Sequence, residues 1–113
     1  MEARLQAFAQ LGEVFRSLGA GAAWPGHGCG LAEVEYRAAE EAVLRASARN
    51  AWFTTENVRH MLRSLGAMLR PETLTQWVGA SSLKEERAPR TIGIITAGNI
   101  PLVGIHDLFS TLV

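Results

Sequence analysis

The strongest constraint on the fold lies near the C-terminal end of the chain. Ile92, Ile94 and Ile95 make a short β-branched apolar run, followed by the turn residues Gly98 and Asn99. This pattern predicts a β-strand. Apolar side chains on both faces suit a strand covered on both sides, as in an α/β sheet. The Gly98-Asn99 turn then falls at the carboxyl end of that strand, where open α/β sheets bind their ligands. Pro101 suits the first turn of a helix that follows, because its missing N–H has no partner there anyway. One strand makes no sheet, and a parallel neighbour needs a crossover connection. The expectation is therefore an α/β protein of which these 113 residues are the N-terminal piece, holding the first strand and helix at residues 91–113.

The segment upstream reads as helix over residues 1–80. Leu5, Phe8, Leu11, Phe15 and Leu18 recur at spacings of three and four, which places them on one helical face over residues 1–18, with Gly19 as the stop. Residues 19–30 are rich in glycine and predict a flexible connection. His27 and Cys29 within it lack the further ligands that a metal site needs, and no positioned base is evident for a catalytic thiol. This stretch also lacks the Gly-Lys-Ser/Thr ending of a phosphate loop. A second helix is expected over 31–49, with Leu31, Val34, Ala38, Ala42 and Val43 inward and Glu33–Arg37 and Glu41–Arg45 paired on its outer face. Thr54 or Thr55 should cap a third helix, onto which Trp52 or Phe53 could fold as a staple. Val58, Met61, Leu62, Leu65, Met68 and Leu69 give that helix the cleanest apolar stripe in the chain, with His60 off it. Pro71 should open a fourth helix with Leu74, Trp77 and Val78 inward and Gly79 at its end. Residues 81–90 read as a polar linker.

Composition removes several classes of function. Lys plus Arg and Asp plus Glu both number 11, so there is no basic field for nucleic acid or anionic lipid. No apolar run approaches the ~20 residues of a membrane span, and no signal peptide is evident at the N-terminus. The single cysteine forms no internal disulfide, so a cytoplasmic protein is the default.

The segment Thr96-Ala97-Gly98-Asn99-Ile100-Pro101-Leu102-Val103-Gly104-Ile105-His106-Asp107 resembles the acyl-CoA reductase family, that of the fatty-acid reductase that supplies aldehyde to bacterial luciferase. Ile105 stands where that family usually has an aromatic residue. Asn50-Ala51-Trp52-Phe53-Thr54-Thr55-Glu56-Asn57-Val58 also resembles a segment that leads into a helix in the same family. Residues 19–30 do not look typical of it. The family is similar to the aldehyde dehydrogenases, whose nucleotide-binding α/β domain is joined to a catalytic domain with a nucleophilic cysteine and to a small oligomerisation element.

The resemblance implies an NADPH- or NADH-dependent reduction of fatty acyl-CoA to fatty aldehyde through a cysteine thioester. It also leaves a homo-oligomer open for the full protein. The family's cysteine and nicotinamide-binding loop would lie beyond residue 113, and Cys29 is not in the place of that cysteine. Asn99 takes the place of the asparagine whose side-chain amide donates to the oxyanion. His106 and Asp107 would line the acyl channel or hold the turn. Plain structural roles stand beside these: Asn99 as the N-cap of the helix that Pro101 opens, and His106 with Asp107 as a buried hydrogen-bonded pair. A different class of function, a small helical protein-interaction module without catalytic activity, remains the alternative.

Overall fold

The computed structural model describes residues 2–80, 90–100 and 102–113. Among these residues five α-helices follow one another: α1 (Glu2–Ala20), α2 (Glu33–Arg49), α3 (Thr55–Met68), α4 (Pro71–Ala80) and α5 (Ile105–Leu112), with one 3-10 turn at His27–Cys29. Among the described residues no helix is long and apolar enough to cross a membrane.

The core is built on the pairing of α1 with α3. Phe8, Val14, Phe15 and Leu18 of α1 are buried against Val58, Leu62 and Leu69. The two helices run antiparallel and lie close because glycines face the partner backbone. A Cβ at Gly12 would sit 2.6 Å from the Leu69 carbonyl oxygen, and one at Gly66 would sit 2.9 Å from the Gly12 oxygen. Arginines clasp the same interface from both sides. Arg16 Nη1 donates to the Gly66 carbonyl and Arg63 Nη1 donates to the Gly19 carbonyl at 2.6 Å. Such charge-assisted bonds are among the stronger ones in proteins.

Gly19 is not the stop of α1. It is buried inside the helix, facing Arg63 and Arg59 of α3. The helix ends two residues later, where Gly21 takes φ 64. Gly21 N–H donates to Leu18 O and Ala22 N–H to Ser17 O, the paired bonds of a Schellman stop, which need a left-handed residue.

The connection over residues 22–32 is tied down rather than loose. The Tyr36 hydroxyl donates to Ala22 O at 2.9 Å, the Trp24 indole N–H to Leu31 O at 3.1 Å, and the Gln10 amide to Gly28 O at 3.1 Å. Cys29, within this connection, is buried. Tyr36 and Gln10 lie on α2 and α1, which is why a local reading misses these bonds.

The inward face of α2 also differs from expectation. Tyr36 and Val43 are buried, while Val34 is 73% exposed and Ala38 and Ala42 face water. The buried row 36, 39, 43, 46 lies on a different side of the helix from the row 34, 38, 42. Tyr36 decides it, since its ring carries far more apolar area than two alanines. Burial, then the nearby Glu40 and Cys29, push the Tyr36 hydroxyl above its ordinary pKa. The outer face carries the expected pairs, Glu33–Arg37 at 2.7 Å and Glu41–Arg45 at 2.5 Å.

A hydrogen-bonded corner joins α2 to α3. Asn50 Oδ1 accepts from Trp52 N–H, Asn57 Nδ2 donates to Trp52 O, and the Thr54 hydroxyl oxygen caps α3 by accepting from Asn57 N–H at 3.2 Å. Phe53 packs on the core, whereas Trp52 is 80% exposed, so Phe53 is the staple. On α3, Met68 is 54% exposed at the far end of the stripe. α4 opens at Pro71 as expected and runs one residue past Gly79, with Leu74 buried and Val78 half-buried.

The expected strand at Ile92–Ile95 is not formed. Residues 90–97 have no regular secondary structure, and no strand occurs among the described residues. A strand is completed by the hydrogen bonds of a neighbour, and no described segment lies alongside as one. The expected linker lies outside the described residues except for Arg90, and so does Pro101.

Candidate functional site

The sequence points to the loop from Thr96 to Gly104 and the start of α5. α5 starts at Ile105, with Gly104 as its N-cap, four residues later than Pro101 would place it. Before it, Ile105 N–H donates to Leu102 O at 3.1 Å, closing a tight turn. Leu102 takes φ 57 there, a left-handed backbone that is uncommon for a bulky side chain. Leu108 N–H then donates to Gly104 O at 3.0 Å and opens the helix.

α5 is moored to the helical body by its apolar side. Phe109 is buried, with its ring centroid 4.7 Å from that of Phe8 and 4.8 Å from that of Trp77. Arg4 Nη1 donates to Leu112 O at 2.9 Å, which places a cation at the C-terminal end of α5. Phe109, Trp77 and Arg4 thus place the site, though none of them carries a local motif. The signal available in sequence was the spacing of Ile105, Phe109 and Val113, four residues apart.

Asn99 lies in the bend ahead of this turn and is exposed. It caps no helix, because the N-cap position belongs to Gly104. His106 and Asp107 sit in the first turn of α5, each side chain 64% exposed, with Nδ1 and Oδ1 3.8 Å apart. That separation is too long for a hydrogen bond, so the two are not a buried hydrogen-bonded pair. Asn99 precedes the helix and therefore does not share a helical face with them. The His106 ring stands edge-on to Trp77, 6.4 Å between centroids, and both line a small apolar cavity of about 90 Å³ between α3, α4 and α5.

A larger groove of about 350 Å³ lies between the two limbs of the loop, lined by Ile94, Thr96 and Ala97 on one side and by Leu102, Gly104 and Leu108 among others on the opposite side. Its walls are aliphatic, with one hydroxyl and no charged group. Cys29 is 2% exposed and its thiol faces the Leu31 carbonyl at 3.8 Å, closed off from any substrate. Comparison with family models, with curated proteins and with solved structures yields no match for this chain.

Proposed function

We propose that this chain supplies the oxyanion-binding turn of an NAD(P)H-dependent acyl-CoA reductase that converts fatty acyl-CoA to fatty aldehyde. The observation that carries the reading is the pairing of the Thr96–Asp107 motif with an exposed Asn99 amide at a bend beside an aliphatic groove. The resemblance of residues 50–58 to the same family supports it independently. So does the apolar run ahead of the bend, where Ile95 is fully exposed and Ile92 is 57% exposed. Such side chains suit a strand that the rest of an aldehyde dehydrogenase-like α/β sheet would cover.

In this reading a cysteine thiolate, carried outside residues 1–113, attacks the acyl-CoA carbonyl. Asn99 Nδ2–H donates to the oxyanion as it forms. The amide is uncharged, so it stabilises the oxyanion without drawing off the thiolate. The tetrahedral species then collapses to a thioester and expels CoA as its thiolate. A reduced nicotinamide, if bound elsewhere in the complete protein, would supply hydride to the thioester carbonyl carbon; the C–S bond would then break, returning the cysteine thiolate and releasing the aldehyde. Residues 50–58 have no part in the chemistry. Asn50 and Asn57 are used in holding the corner between α2 and α3.

The test is aldehyde formation by the complete reading frame with a long-chain acyl-CoA and NADPH, with NADH in parallel. Asn99→Ala should lower kcat by about 10²–10³-fold, the usual loss for one oxyanion donor. Absence of aldehyde, or an Asn99→Ala variant as fast as the parent, sinks the reading. The docking module without catalytic activity would then account for the exposed apolar run.

A further inference from the structure

We propose that Thr96 is a positioning residue for Asn99. Its methyl group, seated on the bare Cα of Gly104, closes the neck of the 96–104 loop and sets where the Asn99 amide projects. This rests on the reductase reading for its consequence, though not for its geometry.

Gly104 is the informative position. Its backbone, φ −84 and ψ 1, is open to any L residue, so conformation does not require glycine. Space does. A Cβ at Gly104 would overlap Thr96 Cγ2 and lie 3.2 Å from Thr96 Cβ. At Gly93 and Gly98 an added Cβ would meet nothing within 4 Å. The close approach is therefore specific to the two ends of the loop.

Asn99 lies between those ends. The Gly104 end is anchored, because α5 begins there and is moored to the body through Phe109. The Thr96 end continues into residues 90–95, which lack ladder partners among the described residues. The contact of Thr96 with Gly104 thus joins the unsupported limb to the supported one. Within the loop Leu102 holds a left-handed backbone, a shape that persists where surrounding contacts maintain it. An oxyanion donor has to be held to within ~0.5 Å of its productive place. Opening the neck moves the donor off target and costs rate rather than binding.

The test uses Gly104→Ala, Thr96→Ala and the pair together, which carries a methyl group from one side of the neck to the other. In the acyl-CoA assay, Gly104→Ala should lower kcat on the order of tenfold or more, with KM within about twofold. The double variant should recover most of that loss. In parallel, the Asn99 side-chain amide resonances of this chain should shift in Gly104→Ala and return in the double variant. An active enzyme whose kcat ignores Gly104→Ala, an amide that does not shift, or a double variant that restores neither readout overturns the proposal. A parent protein that makes no aldehyde while the amide shifts and returns would sink the reductase reading and leave the positioning role intact.

Discussion

Residues 2–80 and residues 90–113 are equally apolar to the eye, yet water treats them differently. In the helical body, Phe8, Val14, Leu18, Leu62 and Leu74 are each under a tenth exposed. In the C-terminal region Phe109 alone among the described residues reaches that burial, while Ile92, Ile95, Ile100, Leu102 and Val103 stay in water. The body satisfies its own apolar stripes because a helix completes its backbone hydrogen bonds alone and needs only one neighbour for its side chains. The C-terminal run has β-branched residues and no ladder partner among the described residues, so a strand there is not completed locally. Burying each such side chain is worth roughly 1.5–3 kcal/mol. The contrast locates where a covering surface would bring the largest gain.

Three substitutions sharpen or break this contrast. The largest effect is expected at Leu62→Ala, a buried leucine between α1 and α3. It should cost about 2–5 kcal/mol in chemical denaturation, the range for a buried leucine. A loss under about 1 kcal/mol would mean that the body is no better packed than the C-terminal region. Phe109→Ala comes next. It should cost at most about 3 kcal/mol, the low end for a buried phenylalanine, because α5 can detach instead of leaving a cavity. Hydrogen exchange should then show residues 105–112 unprotected with α1 and α3 unchanged. Global unfolding in step with α5 would show the two regions to be one cooperative unit. The smallest effect is expected for Ile95→Lys, within about 0.5 kcal/mol, as for an exposed side chain. The same change should reduce self-association in light scattering. A large loss of stability would show that Ile95 is packed in solution.

Much of the helical body was legible in the sequence. Thr54 at the cap, Pro71 at N1 and the row Val58, Leu62, Leu65, Leu69 are local signals, and local hydrogen bonds and periodicity read them out. Less was legible wherever the partner is remote. The inward face of α2 was misread, because a row of alanines and a lone tyrosine compete and only packing against α1 and α3 settles the choice. Residues 19–30 read as a flexible connection, because Gln10 and Tyr36, which bind Gly28 and Ala22, lie outside that glycine-rich stretch. At the candidate site, Asn99, His106 and Asp107 were picked out by their motif, but the start of α5 was placed too early. Thr96 on Gly104 was invisible in the sequence, since no local pattern shows a side chain seated on the backbone of a residue across a loop.

The sequence by itself determined the four helices of the body, an α3 cap narrowed to Thr54 or Thr55, and the chemical character of the Thr96–Asp107 segment, because each depends on neighbours within a turn or two. Tertiary structure decided which glycine ends α1, which side of α2 is inside, where α5 starts and what holds the loop around Asn99. Those outcomes depend on surfaces far apart in the chain, whose fit is set by shape and burial rather than by spacing.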